Sequence, residues 1–415
     1  MSFYTAHAIH LGNDKIDNAQ RAVATIHRSF TGRDLRGIAF FSAPDYDPAA
    51  LAAGFHQSFP GVKTFGCTSA GEFADGTMLS NSVSAMAFSP EDLEVLEVAG
   101  MSGIDADPHA ASRLFLELER KTGLEMRTLD SSRHVGFLLL DALAAHNDRL
   151  VEQATESTRI NIAGGLAGDR REYQHTMVMC EGEALENGAV FVLMKPKGKF
   201  SAFKTQAVSV INSSLLATRI DAERRIIWEF DNKPAAIAYA EAIGLHLSRN
   251  NRNKFKVSGL SPQELYVQLH QKGDSDGNKI DRESVRDEYI SEFTRWPLAL
   301  MINGEPFIRS ALTVLDEGGI QTYLPPIEGG RYYVTAASDV VADLRWILEK
   351  KQRELGGVSA VLCANCSLRE LQIRTSGQCE DYAASFAGIA ALGFSSFGEI
   401  FKRVVSLSSS MIVFA

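Results

Sequence analysis

The sequence has 415 residues, of which 45% are hydrophobic and 22% charged, and its formal net charge is −9 at pH 7. This length predicts two domains, and the negative charge argues against a general affinity for nucleic acids or acidic membrane surfaces. Because no run of about 18 apolar residues is present, no membrane-spanning helix is predicted. The N-terminus lacks the features of a signal peptide, and the five cysteines are scattered and odd in number. We therefore expect a cytoplasmic protein without a disulfide framework.

The first 195 residues show one order of predicted elements twice. A strand is followed by a helix, a strand buried on both faces, a second helix, a short strand ending in glycines, and paired strands. In the first copy, elements are predicted at residues 3–11, 14–30, 37–41, 49–59, 59–65, 82–88 and 93–98. In the second copy, they are predicted at residues 107–122, 134–141, 147–157, 159–163, 175–180 and 188–194. This order predicts a mixed α/β fold whose N-terminal domain is an internally duplicated, layered sandwich.

A basic segment at residues 195–199, broken by proline and glycine, marks the predicted domain boundary. The predicted domains are residues 1–198 and residues 199–415. Residues 248–292 are unusually polar and charged, so we predict a surface insertion there. Strands are predicted at 200–212, 216–221, 226–230, 298–302, 308–314, 320–323, 331–336, 358–362 and 404–413, and helices at 235–247, 338–353 and 380–391.

A glycine-rich segment that ends in a carboxylate occurs three times. Residues 66–73 and 393–400 share the pattern Gly-x-x-Ser-x-Gly-Glu followed by an apolar residue, and residues 164–169 form a shorter version. Because glycine permits a close approach of the backbone, we predict that the three segments occupy equivalent positions and face shared clefts. Two roles stay open for the carboxylates of Glu72, Asp169 and Glu399. They accept local backbone N–H groups, or they orient a ligand that carries an amino group.

These segments also support a resemblance to a known family. The sequence resembles the FIST family, a two-part sensory module with an N-terminal and a C-terminal domain. The resemblance rests on residues 40–47, the three glycine-rich segments, Asp141, and the group Asn365, Cys366 and Arg369. It extends over nearly the whole chain.

The resemblance implies a sensory protein without enzymatic activity that acts through a separate signalling protein such as a histidine kinase, with a homodimer as one possible state. It assigns ligand-binding residues to the glycine-rich segments and to the C-terminal group. These residues are Cys67, Thr68, Ser69, Gly71, Glu72, Gly164, Gly165, Asp169, Asn365, Cys366, Arg369, Ser395 and Glu399. For the C-terminal group, a ligand-facing role and a role in the core are both open.

Some stand-alone FIST proteins bind haem and sense nitric oxide, so the resemblance implies a haem-based sensor. Because the sequence has no Cys-x-x-Cys-His motif, haem b would be bound non-covalently, with histidine as its axial ligand. On the predicted helix 235–247, His246 aligns with Ala235, Tyr239 and Ala242 and is the first candidate ligand of the metal. A plain position at the helix end also explains His246. His146 and His175, near motif turns, are the other candidates.

Two alternatives to a haem sensor remain. The first is a sensor of a small polar metabolite such as an amino acid, which the family is also suspected of binding. The second is an enzyme that uses Cys67, Ser69 and Glu72, which together offer a nucleophile and a carboxylate. No histidine is assigned near these residues, so the sequence does not supply a general base for this alternative.

Overall fold

The computed structural model describes residues 3–10, 12–243, 293, 295–302, 304–315 and 318–415. The chain forms two compact units, one built from Met1–Gln206 and Val340–Ala415 and the other from Ala207–Asp339. These ranges differ from the predicted domains 1–198 and 199–415, because the last 76 residues (415 − 339) return to the first unit. The predicted insertion at 248–292 lies outside the described residues. No described helix is long and apolar enough to cross a bilayer.

The first unit begins with a repeated arrangement of six strands and two helices. Asp14 caps the first helix by accepting the N–H groups of Ile16 and Asp17, and Asp47 caps the second helix at the N–H of Ala50. The elements are β1 (Tyr4–Ala8), α1 (Lys15–Phe30), β2 (Gly37–Ser42), α2 (Pro48–Ser58), β3 (Lys63–Thr68), β4 (Glu72–Ala74), β5 (Thr77–Leu79) and β6 (Val83–Phe88).

The second copy of the arrangement follows directly. Its elements are β7 (Leu93–Met101), α3 (Ala110–Thr122), β8 (Val135–Leu140), α4 (Asn147–Glu156), β9 (Asn161–Leu166), β10 (Val178–Cys180), β11 (Glu183–Leu185) and β12 (Ala189–Pro196). The predicted duplication in residues 1–195 is therefore present. The third copy starts with β13 (Phe200–Thr205), after which the chain leaves to form the second unit.

The second unit is an antiparallel sheet that packs on one described helix. Its elements are β14 (Val208–Asp221), β15 (Ile226–Phe230), β16 (Lys233–Pro234), α5 (Ala235–Ala242), β17 (Leu298–Ile302), β18 (Glu305–Ile308), β19 (Ala311–Val314), β20 (Ile320–Thr322) and β21 (Arg331–Ala337). The strand order is β18-β17-β21-β14-β15-β20-β19, with β16 paired to β15. Phe230, Tyr239 and Tyr332 lie in its core.

The third copy resumes in the first unit after this excursion. Its remaining elements are α6 (Val340–Leu355), β22 (Ala360–Cys366), α7 (Ser367–Thr375), α8 (Cys379–Ala384), β23 (Ala390–Ser396), β24 (Glu399–Phe401), β25 (Arg403–Val405) and β26 (Ser409–Phe414). The sequence patterns did not predict α7. This helix buries the polar side chains of Arg369 and Glu370, so its buried face lacks the apolar spacing by which helices are recognised.

Each copy lends a hairpin to the sheet of another copy. The three sheets have the strand orders β1-β6-β2-β3-β10-β11, β7-β12-β8-β9-β24-β25 and β13-β26-β22-β23-β4-β5. Four strands of each sheet come from one copy, and the last two are the hairpin of a different copy. Because the exchange runs through all three copies and closes, no copy has a complete sheet without its neighbours.

The glycine-rich segments occupy the positions at which the hairpins are exchanged. Gly66, Gly164 and Gly393 pair with Met179, Ile400 and Phe73 of the incoming hairpins. A Cβ atom would lie 1.9 Å from the carbonyl oxygen of Phe40 at position 66, and 1.9 Å from that of Leu138 at position 164. The first glycine is therefore fixed by close backbone packing within the sheet.

The three sheets share one hydrophobic core. It contains residues from all three copies, and the rings of Phe41 and Phe394 lie 4.4 Å apart between their centroids. The apolar runs of β2, β8 and β22 are buried along their whole length, as expected for strands covered on both faces.

Two buried glutamates attach the hairpins to the closing strands. Glu72 accepts hydrogen bonds from the hydroxyl of Ser69 and from the N–H and hydroxyl of Ser82, at 3.1 and 2.7 Å for Ser82. Glu399 accepts from Ser396 at 2.6 Å and from the N–H and hydroxyl of Ser408 at 3.1 and 2.7 Å. The same interaction thus occurs in the first and third copies.

The second copy replaces this glutamate with Asp141, which follows β8. Asp141 accepts from the hydroxyl of Thr176 and from the N–H groups of Leu143 and Asn187, at 3.0 and 2.7 Å for the latter two. Asp169 does not take the place of Glu72 and Glu399. It accepts the four backbone N–H groups of residues 172–175 and so holds a loop that the other copies lack.

The hydrogen bonds around both glutamates fit a protonated carboxyl group. Ser69 also donates to the carbonyl of Ser42 at 3.3 Å, and Ser396 donates to that of Asn365 at 3.4 Å. Each serine hydroxyl therefore has an acceptor other than the glutamate and is able to accept a hydrogen bond from the Oε1–H group. Burial raises the pKa of Glu72 and of Glu399 to about 8, against the opposing effect of the serine hydrogen bonds.

We predict that Glu72→Gln and Glu399→Gln match the stability of the wild type below about pH 4.5 and exceed it near neutral pH, because the amide reproduces the hydrogen bonds of a protonated carboxyl and does not ionise on unfolding. The wild-type contribution is fully present below pH 4.5, the ordinary pKa of a glutamate side chain, and is lost as the pH rises towards the folded pKa of about 8. The maximal slope is about 1.4 kcal/mol per pH unit for each group. Urea unfolding across this pH range measures the effect, and the double glutamine variant should have a flatter stability profile.

The control for this prediction is Asp169→Asn. Its amide nitrogen is unable to accept the two N–H groups that one carboxylate oxygen now accepts, so this variant should lose stability throughout the range. A large loss of stability in the glutamine variants at neutral pH would show instead that Glu72 and Glu399 are ionised in the folded protein.

Candidate functional site

The predicted ligand-binding residues of the first glycine-rich segment lie in the interior. Cys67 and Ser69 have no exposed surface, and Thr68 and Glu72 are 2% exposed. The backbone N–H groups of Thr68 and Ser69 donate to the carbonyls of Met177 and Ser42 at 3.0 and 2.8 Å. These partners belong to the chain itself, so the geometry of this segment is explained by packing.

The other two segments also pack against neighbouring copies, and so does Gly71 at the end of the first segment. A Cβ atom at Gly165 would lie 2.7 Å from that of Ala364, and one at Gly71 would lie 2.7 Å from Oε1 of Glu370. Ser395 donates its hydroxyl to Glu370 and its N–H to the carbonyl of Gly71, the latter at 2.7 Å. Glu370 is in turn paired with Arg374, whose Nε lies 2.6 Å from Oε1. The glycines therefore make room for a closed internal network.

The geometry does not support the enzyme alternative built on Cys67, Ser69 and Glu72. Burial, with a smaller effect of Glu72, raises the pKa of the Cys67 thiol well above its ordinary value, so the reactive thiolate is disfavoured. Ser69 has Glu72 as its neighbour, and neither side chain reaches solvent. A substrate would have to displace the shared core to reach either nucleophile.

The described histidines that were expected to bind haem do not fit that group. His146 is exposed at the start of α4, and its backbone N–H donates to Asp105 at 2.9 Å. His175 is exposed in the loop held by Asp169. An axial ligand needs an enclosed apolar surrounding, which neither has. His246 lies outside the described residues, and within the described part of the chain no group of three or more metal-ligating side chains occurs.

Arg369 is the predicted site residue with the most unusual surroundings. It lies on α7, is 1% exposed, and is among the largest fully buried side chains. Its Nη1 donates to the carbonyl of Thr205 at 3.4 Å, and its Nη2 lies 3.8 Å from Oδ2 of Asp343. Among the residues that the structure describes, Nε and Nη2 find no hydrogen-bond partner, and the same holds for Asp343 Oδ2 and the Thr205 hydroxyl.

This arrangement leaves one edge of a buried cation unsatisfied. Nε and Nη2 form the edge of a guanidinium that binds the two oxygens of a carboxylate side by side. A buried charge costs several kcal/mol unless it is well paired, and a separation of 3.8 Å from Asp343 exceeds hydrogen-bond range. The guanidinium is therefore short of acceptors in the structure, while Asp343 and Thr205 offer oxygens beside it.

The first two copies show which side chains occupy the position equivalent to Arg369 when that position contributes only to packing. The N–H groups of Ala43, Asp141 and Cys366 donate to Ser82, Gly188 and Ser408, which aligns the three copies. Arg369, three residues after Cys366, therefore matches Tyr46 and Ala144.

In the first copy, the hydroxyl of Tyr46 donates to Asn81 at 3.0 Å and accepts the N–H of His10 at 2.9 Å. In the second copy, Ala144 carries no polar group. Among these three equivalent positions, Arg369 alone keeps buried donors without acceptors.

The structure joins Arg369 to residues that the sequence patterns missed. Thr205 ends β13 and lies 164 positions away along the chain, and Asp343 lies on the first turn of α6. Neither belongs to a recognisable motif. Asn365 is nearer, and its Oδ1 accepts the hydroxyl of Ser409 at 2.5 Å. Burial raises the pKa of the Cys366 thiol to about 12. The thiol therefore stays protonated and packs as a small apolar side chain, because only the thiolate is a good nucleophile.

We predict that thiol- and serine-directed activity probes do not label Cys67 or Ser69 selectively in the folded protein. Both side chains are inaccessible, and the Cys67 thiol is held in its protonated form. Mass spectrometry of the labelled protein measures the result. Cys379, which is partly exposed, is the internal control and should be the first described cysteine to react with a simple alkylating reagent. Stoichiometric labelling of Cys67 ahead of Cys379 would contradict this prediction.

Comparison with protein-family models gives two matches. The FIST N domain matches residues 36–233, and the FIST C domain matches residues 275–402. A search of curated proteins gives no match. The two family matches cover most of the chain and include both the hairpin-exchange glycines and the Arg369 cluster. The chain therefore belongs to the FIST family, whose domains are sensory modules of signal transduction.

Proposed function

We propose that this FIST protein senses a small polar metabolite with a carboxylate group, such as an amino acid, and that Arg369 binds the carboxylate. The observation that carries the proposal is the buried guanidinium edge without hydrogen-bond acceptors. A carboxylate placed on Nε and Nη2 would complete these hydrogen bonds and neutralise the charge. Such charge-assisted bonds contribute about 1.5–3 kcal/mol.

Asp343 extends this proposal from a carboxylate to a zwitterion. An anion beside Nη2 also lies close to Oδ2 of Asp343, and two carboxylates repel one another when they share a site. A ligand that carries an ammonium group next to its carboxylate removes this conflict, because the ammonium donates to Asp343. The Thr205 hydroxyl supplies a further polar contact. The side chains thus favour an amino acid over a simple anion.

The last part of the proposal concerns how ligand binding is signalled. We propose that the ligand-bound protein acts on a separate signalling protein such as a histidine kinase, as the resemblance to FIST proteins implies. Arg369 is 1% exposed, so a bound ligand would be surrounded by protein, and the chain around Arg369 must rearrange for a ligand to enter. The ligand-bound and ligand-free proteins therefore differ in conformation. A sensor needs such a difference in order to report whether its ligand is bound.

We predict that at least one of the proteinogenic amino acids raises the melting temperature of the wild-type protein, because a ligand that binds only the folded state stabilises it. Arg369→Lys and Arg369→Met should weaken that binding about tenfold to a hundredfold, the equivalent of the lost charge-assisted bonds. Differential scanning fluorimetry and calorimetric titration measure both effects. The control is Arg345→Met, which removes an exposed guanidinium that pairs with Asp381 and should leave ligand affinity unchanged.

A second readout separates a ligand-binding arginine from a structural one. If Arg369 is kept for its ligand, then Arg369→Met should leave the ligand-free stability unchanged or raise it, because an underpaired buried charge is replaced by an apolar side chain while Asp343 keeps access to solvent. A strong loss of stability in this variant, together with unaltered amino-acid binding, would contradict the proposal.

Haem-based nitric oxide sensing is the competing candidate, which the resemblance to stand-alone FIST proteins implies. It assigns the axial ligand to His246, with His146 and His175 in reserve. If haem b binds, the reconstituted wild-type protein should show a Soret band that shifts in His246→Ala and persists in His146→Ala and His175→Ala, whose histidines are exposed. The absence of a band in the wild-type protein rejects haem, and a band unchanged in all three variants rejects these ligands.

A further inference from the structure

The second unit interrupts the third copy at one defined connection. In the first two copies, the link from the leading strand to the first helix is short and consists of residues 9–14 and residues 102–109. In the third copy, the corresponding link runs from residue 206 to residue 339 and contains the whole second unit. The insertion therefore replaces a short connection between β13 and α6.

The two ends of the inserted chain run side by side. Ser338 donates its N–H to the carbonyl of Ala207 at 2.9 Å. The antiparallel pairs Val208–Ala337, Ser209–Ala336 and Val210–Thr335 continue this ladder. Residues 207–210 and 335–338 form a two-stranded segment that we call the stem. Any change in the separation of β13 and α6 acts on the base of the stem.

Arg369 contacts residues that flank the stem on both sides. Thr205, whose carbonyl accepts a hydrogen bond from Nη1, lies two residues before the start of the stem. Asp343, whose Oδ2 lies 3.8 Å from Nη2, follows the end of the stem by five residues. Thus one buried guanidinium bridges the outgoing strand and the returning helix. The equivalent tyrosine of the first copy, Tyr46, accepts the N–H of His10, which lies within the short connection itself.

We propose that Arg369 couples ligand occupancy to the order of the stem. This inference rests on the proposed function for the class of ligand, but the contact between Arg369 and the flanking residues does not depend on it. In the ligand-free protein, the bridge consists of one hydrogen bond at 3.4 Å and one ion contact at 3.8 Å, so it holds the stem less firmly than a fully bonded guanidinium would.

A zwitterionic ligand strengthens this bridge. Its carboxylate binds Nε and Nη2, and its ammonium binds Asp343, so Arg369 and α6 are held together through the ligand. A ligand shifts such an equilibrium only through a difference in affinity between the two states, and the completed hydrogen bonds supply that difference. Occupancy of the site thereby increases the order of the stem.

Hydrogen–deuterium exchange of the stem amides tests this coupling with the full-length protein. Arg369→Met keeps the buried volume and removes the bridge, so stem amides should exchange about tenfold faster than in the wild type. Amides of β22 and β26 in the first unit and of β15 in the second should be unchanged. Arg345→Met removes an exposed guanidinium that pairs with Asp381 and should behave as the wild type.

A second arm uses the amino acid with the largest thermal shift on the wild-type protein. It should slow exchange in the stem of the wild type and leave the stem of Arg369→Met unaffected. Methylguanidinium added to Arg369→Ala should restore slow exchange, whereas sodium at the same ionic strength should not.

The outcomes separate this inference from the proposed function. Faster stem exchange in Arg369→Met without any amino-acid binding would support the bridge and reject the ligand class. Amino-acid binding that leaves stem exchange unchanged would overturn the coupling and leave the ligand site intact. Exchange in Arg369→Met that is unaltered, or raised equally throughout the first unit, would likewise overturn it.

Discussion

The exchange of hairpins among three copies is the constraint on which the first unit depends. Each six-stranded sheet needs two strands from another copy, so the core between the sheets closes only when all three copies are folded. The incoming hairpin sits against a strand that must approach its neighbour closely, which is why Gly66 and Gly164 leave no space for a side chain. The glycines that look like a ligand-binding turn in the sequence are required for this closure.

Buried carboxyl groups secure the exchanged hairpins by two different routes. Glu72 and Glu399 reach from the start of the hairpin to the residue before the closing strand, whereas Asp141 reaches from the end of β8 to Asn187, one residue before the equivalent position. All three satisfy backbone N–H groups that the irregular chain would otherwise leave without partners. Burial favours the neutral form of both glutamates, so this solution avoids placing a charge in the common core.

The ligand site that we propose lies where the pseudo-repeats differ. The three copies act as internal controls, because the same position holds a fully bonded tyrosine, an alanine and an arginine. Packing requires neither the charge of Arg369 nor its unsatisfied edge, since the first two copies close without either. The same copy also carries the insertion, and Arg369 contacts the residues on both sides of it. A buried side chain whose unsatisfied hydrogen bonds lower the stability of the fold is typical of a functional site.

The sequence by itself determined the local elements, the duplication in residues 1–195, the recurring glycine-rich segment and membership of the FIST family, because apolar spacing, glycine placement and motif identity are properties of neighbouring residues. Only the tertiary structure decided that the copies number three, that their hairpins are exchanged, and that Asp141 rather than Asp169 replaces the glutamate. It also decided that Thr205 and Asp343 meet Arg369. These features join residues up to 164 positions apart, and α7 buries polar side chains, so no local pattern of hydrophobic residues encodes them.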